Sequence, residues 1–428
     1  MHPPGPLLAA SLSEFRALQE VLGQDSLRCL GQMSEEVKRW NQESGRDCLY
    51  ATYLIKKAIR AVMGQVDGIA FALRQSVLDS ATEMRLALTK EERAMLSERR
   101  FDRATGVILD QPKYLYTLRS TLKALEYFPR LCGSSYQLNT KGVEWRSFDR
   151  LNTVRNGITH PHSLDDLSPS NARYVLAPTF LWFSQEMQRL IADCAHSMGV
   201  RLVTGDLNAD YFASYDEDAD TLERSFSPED DQLIDSDLSR VLQLAEAMFS
   251  RTSSENSWAI RELESRERCL LAPDGQTDAR NAVRTLFSAI EARTFMALRM
   301  LTAARQLGDI AWSAADAATL ARSKPIEERY VGALTLWSRF LGHDRCPTTS
   351  GEIWEAFRST REFRDRITHP KSVTAFRFTE SEFDLLMATL TYFRESSDAL
   401  LVNPDKFKSL SSNTRRAEPA AAVPIGSS

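Results

Sequence analysis

The chain has 428 residues, 43% hydrophobic and 26% charged, with a formal net charge of −5. These are the proportions of a soluble globular protein with room for two or three domains. They exclude a protein that coats nucleic acid nonspecifically, so any nucleic-acid site has to be local.

No stretch approaches the ~18 apolar residues of a membrane span. The first ten residues, Met1 to Ala10, lack the basic start and long apolar run of a secretion signal. The expected location is therefore cytoplasmic, with no membrane partner. The six cysteines, Cys29, Cys48, Cys132, Cys194, Cys269 and Cys346, show no CxxC spacing. They read as buried, reduced thiols rather than as zinc or redox ligands. No cofactor is expected.

Taken in chain order, helical periodicity dominates. Leu115, Leu118, Leu122 and Leu125 fall on one helical face, in a helix expected to open at Pro112. The segment from Trp145 predicts a helix that ends at His160, because Pro161 disfavours helix in the residue before it. A loop follows, then a helix from about Asn171 to Met198 with Pro178 as a candidate kink. Ten acids and one base, Arg224, occupy 206–231. Such like charges repel and predict an extended linker.

Beyond the linker, Val283, Leu286, Phe287 and Ile290 again mark one helical face, and Pro325 is expected to open a later helix. A helix from Trp354 ends before His369-Pro370, and the Ser-, Ala- and Pro-rich end reads as a disordered tail. The expected organisation is a helical domain at 1–205, an acidic linker at 206–231, a second helical domain at 232–402 and a tail at 403–428.

The two halves repeat one another. WRSFDRLNTVRNGITHPHS, from Trp145, and WEAFRSTREFRDRITHPKS, from Trp354, match at eight of nineteen positions with a constant offset of 209. Weaker similarity links the segment Val66–Phe71 to Ile290–Phe295 at an offset of 224, and Pro112 to Pro325 at 213. The falling offsets place insertions in the first copy. The fold class expected is all-α, with two tandem helical bundles related by internal duplication. Trp145 and Trp354 are expected in the core.

Each copy carries Arg-x-x-x-x-His-Pro, at Arg155 to Pro161 and Arg364 to Pro370. Arginine and histidine, five apart, lie about 140° around a helix, within reach of one another where the last turn unwinds. Arginine forks onto phosphate oxygens, and histidine exchanges protons near neutrality. Asn156 and Asp365 are placed one turn before His160 and His369 and can orient the imidazoles. The same residues also admit a structural reading. Thr-His-Pro is a serviceable helix stop, a cationic histidine suits a helix C-terminus, and each arginine can simply pair with an acid.

An all-helical domain with RNGITH or RDRITH late in a helix resembles the HEPN superfamily and its Arg-x(4–6)-His pattern. The resemblance covers both halves, most specifically at the two motif segments. It implies a metal-independent endoribonuclease acting on single-stranded RNA, with a composite active site made by pairing the two repeats within one chain, or else between chains of a homodimer. Arg155 and Arg364 would hold the scissile phosphate. His160 and His369 would serve as general base and acid, with Asn156 and Asp365 in support. Asp67 and Glu291 match loosely an acidic position on the family's first long helix. A role in defence or stress follows only from the family.

The positions two after each histidine, His162 and Lys371, depart from the tyrosine of HEPN toxins regulated by antitoxin modification. No guide-binding or sensor segment stands beside the repeats, so the sequence names no regulator. The alternative is a non-catalytic helical scaffold that binds RNA, nucleotide or protein. A metal-dependent hydrolase drawn on His160, His162, Asp165 and Asp166 finds no counterpart at Lys371, Ser372 and Val373.

Overall fold

The structure, a computed structural model, describes residues 6–42, 48–83, 88–97, 99–112, 117–160, 165–167, 169–200, 238–264, 273–306, 313, 315–316, 325–341, 346–368 and 373–401. In the first half α1 (Pro6–Gln42) and α2 (Cys48–Glu83) precede a short α3 (Lys90–Leu96) and a hairpin of β1 (Arg99–Asp102) and β2 (Val107–Pro112). Then come α4 (Thr117–Leu131), α5 (Val143–Thr159) and α6 (Arg173–Met198). The second half comprises α7 (Leu238–Glu264), α8 (Pro273–Gln306), α9 (Ile326–Leu341), α10 (Glu352–Thr368) and α11 (Glu380–Leu401). The protein is mostly helical, and among the described residues no helix is long and apolar enough to cross a membrane.

The apolar stripe on α8 is as expected: Val283, Leu286, Phe287 and Ile290 are all buried. Two local expectations change. Pro112 opens no helix. It ends β2, paired opposite Arg99, where the absent N–H is tolerated at the edge of a two-stranded sheet. The first-half helix that follows starts at Thr117. The hairpin turns at Gly106, whose φ of 65° lies in the left-handed region that glycine occupies without a Cβ clash. Pro325 does precede a helix, its carbonyl accepting the amide of Arg329 at 3.1 Å at the start of α9.

Each half opens on two long helices. α1 and α2 run antiparallel, tied by Ser26 to Gln65 and by Lys57 to Gln32. α7 and α8 pack in the same way through buried Arg293, which donates to Thr252 and Ser253. Trp145 and Trp354 meet the core by one side only: Trp145 leans on Trp182 and Phe148, and Trp354 on Phe357 and Tyr392, and both remain partly exposed. α6 continues through Pro178. Cys29, Cys132 and Cys194 are buried free thiols, whereas Cys346 is exposed. The acidic stretch 206–231 and the tail 403–428 lie outside the described residues.

The halves meet chiefly along α2 and α8, and their buried apolar residues form one continuous cluster. The polar part of this contact is reciprocal. Glu255 of α7 accepts Lys56 at 2.7 Å and Arg60 at 2.9 Å from α2. Asp25 of α1 accepts Arg280 at 2.6 Å and Arg284 at 3.5 Å from α8. All of these groups are buried or nearly so, so each acid satisfies two cations that would otherwise be stranded away from water. A Cβ on Gly64 would lie 3.2 Å from the Arg284 guanidinium, so α2 and α8 approach closely there.

Candidate functional site

α5 is oriented by its buried side, Phe148, Leu151 and Ile158, and α10 by Phe357, Phe363 and Ile367. Both helices end at the motif. The His160 amide still donates to the Asn156 carbonyl at 2.7 Å, but its own φ of −129° and ψ of 68° leave the helix, as the proline after it requires. In the last turn of each helix the threonine hydroxyl bonds back to the motif arginine's carbonyl, Thr159 to Arg155 at 3.1 Å and Thr368 to Arg364 at 2.8 Å. α10 stops at Thr368, and His369 and Pro370 lie outside the described residues.

The motif arginines are held by carboxylates from the long helices. Arg155 meets Asp67 of α2 at 2.9 Å, and Arg364 meets Glu291 of α8 at 2.8 Å. These are the two acids that the sequence matched only loosely. Each guanidinium also donates to its chain neighbour, Arg155 to Asn156 at 3.4 Å and Arg364 to Asp365 at 2.9 Å. Asn156 and Asp365 thus brace the arginines. Burial works against the charge of Arg364, but Glu291, Asp365 and Asp67 outweigh it and raise its pKa above the usual value for arginine.

The motif helices also cross between halves. α5 packs on α8 of the second half, and α10 on α2 of the first. His160 lies against Phe295 of α8, ring centroids 5.0 Å apart and planes tilted by 59°. Phe295 follows Glu291 by four residues, one helical turn or about 6 Å along the axis. Arg364 from one half and His160 from the other therefore occupy adjacent turns of one helix face. Phe71 stands four residues after Asp67 on α2 in the same relation.

Sequence reasoning assigned no role to Phe295. The available signal was the matched pair of segments Val66–Phe71 and Ile290–Phe295, each ending in phenylalanine one turn after its acid. Of the residues predicted for the site, Arg155, Asn156, His160, Arg364 and Asp365 are brought to this region.

No known family, curated protein or solved structure matches the chain.

The local chemistry is that of two always-charged forked donors beside a proton-exchanging imidazole, balanced by three carboxylates. A phosphodiester entering here can take up the guanidinium donors by competing with Asp67 and Glu291, both of which are part-exposed at 11% and 25%.

Proposed function

We propose that this protein is a metal-independent endoribonuclease of HEPN-like type, with one composite site formed by the two Arg-x4-His motifs of a duplicated helical domain. The observation that carries the reading is that Arg364 and His160, one from each half, lie against successive turns of α8. Duplication is supported by the reciprocal ion pairs between the halves. Lys56 and Arg60 are separated from Arg280 and Arg284 by the same offset of 224 that separates Asp67 from Glu291 and Phe71 from Phe295.

In this mechanism Arg155 and Arg364 bind the non-bridging oxygens of the scissile phosphate and stabilise the charge that builds there. One histidine removes the proton of the ribose 2′-hydroxyl, whose oxygen attacks phosphorus. The other gives a proton to the departing 5′ oxygen. The bond from phosphorus to the 5′ oxygen breaks, leaving a 2′,3′-cyclic phosphate and a 5′-hydroxyl. Asp67, Glu291, Asn156 and Asp365 hold the guanidinium groups in place before the substrate arrives.

The test is cleavage of a single-stranded RNA in EDTA by purified full-length protein. Products should end in a 2′,3′-cyclic phosphate, and His160→Ala or His369→Ala should abolish them. Cleavage only on addition of a metal ion would reject the mechanism.

A second reading, a non-catalytic helical scaffold, draws on the same ion pairs, since both motif arginines already have carboxylate partners. It predicts intact RNA in that assay and a purely structural effect of replacing either arginine.

A further inference from the structure

His160 is the residue at which α5 ends. The ring of Phe295 restrains the imidazole from the other half, at 5.0 Å between centroids and a 59° tilt. That lies within the range of specific aromatic contacts.

Phe295 is itself well fixed. Its neighbours Arg293, Thr294, Met296 and Ala297 are buried. Arg293 is locked by Thr252 and Ser253, and Arg299 lies over the Phe295 ring at 5.8 Å. Eleven residues back along α8, about 16 Å at helical rise, Arg284 is anchored to Asp25 of the first half, with Arg280 one turn earlier. A helix is stiff over that span. The buried ion pairs to α1 therefore help to fix α8, and with it Phe295, on the first half.

We infer that Phe295 is a positioning residue for His160, acting from the opposite half, so that placement of the imidazole depends on the docking of the two halves. This deepens the endoribonuclease reading and rests on it. Phe295 touches no reacting atom in this account. It acts by keeping the imidazole within the narrow range of positions that proton transfer requires.

The experiment uses full-length protein with Phe295→Leu, which keeps an apolar side chain but loses the ring, and Phe295→Tyr, which keeps the ring at a part-exposed position. Two readouts are taken: kcat and KM on a single-stranded RNA oligonucleotide, and the imidazole proton signals of His160 by NMR, assigned by their loss in His160→Ala. In Phe295→Leu kcat should fall about ten- to a hundredfold while KM stays within about twofold, as expected when positioning but not binding is lost. The His160 signals should shift as the ring current disappears. Phe295→Tyr should restore the greater part of kcat and the original signals.

Unmoved His160 signals in Phe295→Leu would overturn the inference, and so would a fall in KM-determined binding with kcat intact. Wild-type protein that leaves RNA uncut defeats the endoribonuclease reading by itself. The NMR comparison then still decides whether Phe295 lies against the imidazole.

Discussion

Asp25 and Arg280 are 255 residues apart in the chain and share two hydrogen bonds, of 2.6 and 2.8 Å, between α1 and α8. Thr277 adds a third to the same carboxylate at 2.7 Å, and Arg284 closes the group at 3.5 Å. The bonds are buried, so the pair joins the halves where water cannot substitute. Removing the acid alone strands two guanidinium groups. Asp25→Asn should therefore cost on the order of 3–5 kcal/mol, read from the shift of the urea unfolding midpoint at constant slope. An unchanged midpoint would mean that the halves do not meet as described.

The same interface makes stability depend on pH in acid. Burial tends to raise the pKa of Glu255, but Lys56 and Arg60 outweigh it and hold it at about 2, below an ordinary 4.5. Burial likewise opposes Asp25, and Arg280 and Arg284 outweigh it, so its pKa is also lowered. Both folded-state values lie below the unfolded ones. The stability they supply is thus complete above about pH 4.5 and is lost as pH falls toward about 2. Glu255 alone accounts for about 3 kcal/mol of it. Denaturant melts from pH 7 to pH 2 should show this decline, and Glu255→Gln should be less stable at pH 7 with a shallower acid limb.

Arg364→Ala separates chemistry from scaffolding. Its side chain and that of Glu291 are about a quarter exposed, at 28% and 25%, so losing the ion pair should cost no more than about 1 kcal/mol. Cleavage of RNA should nevertheless fall by at least about a hundredfold. Arg364→Lys should rescue little, because an ammonium does not reproduce the fork that Glu291 and Asp365 hold for the proposed phosphate. Cleavage that tracks stability across the three proteins would favour the scaffold.

Glu291→Gln removes a negative charge next to the proposed phosphate site while keeping a hydrogen-bond acceptor for Arg364. Single-stranded RNA should bind about three- to tenfold more tightly at low salt, with the gain shrinking as salt is added. kcat should drop, because the guanidinium is less firmly placed. Binding measured by fluorescence anisotropy across a salt series checks this. Weaker binding would place Glu291 away from the RNA path.

Gly157 lies inside α5, within the motif. A Cβ there would meet Oδ1 of Asp166 at 2.9 Å. Alanine normally stabilises a helix interior by about 1 kcal/mol over glycine, but here Asp166 has to move to admit it. Thermal melts should show Gly157→Ala gaining less than that, and the full gain returning when Gly157→Ala is compared in an Asp166→Ala background.

Parts of this arrangement were written in local sequence. The buried stripe Val283, Leu286, Phe287 and Ile290 follows from helical periodicity, and the stop at His160 from proline's effect on the residue before it. The motif arginines announced themselves by repetition. Other parts left little trace. Pro112 has the local signature of a helix start, yet it ends a strand because β1 lies beside it. Glu255 and Lys56 are, in sequence, ordinary charged residues of amphipathic helices. Their burial depends on which faces of α2 and α7 meet.

The amino-acid sequence by itself determined that this is a mostly helical chain that carries the Arg-x-x-x-x-His-Pro segment twice. Helical period, proline sterics and repetition act over a few neighbouring residues, so they can be read without knowing the fold. Only the tertiary structure decided that Asp67 and Glu291 are the arginines' partners and that Phe295 faces His160 from the opposite half. Those contacts arise from the packing of α2 against α8 and of α5 onto α8, between residues that nothing in the linear order brings together.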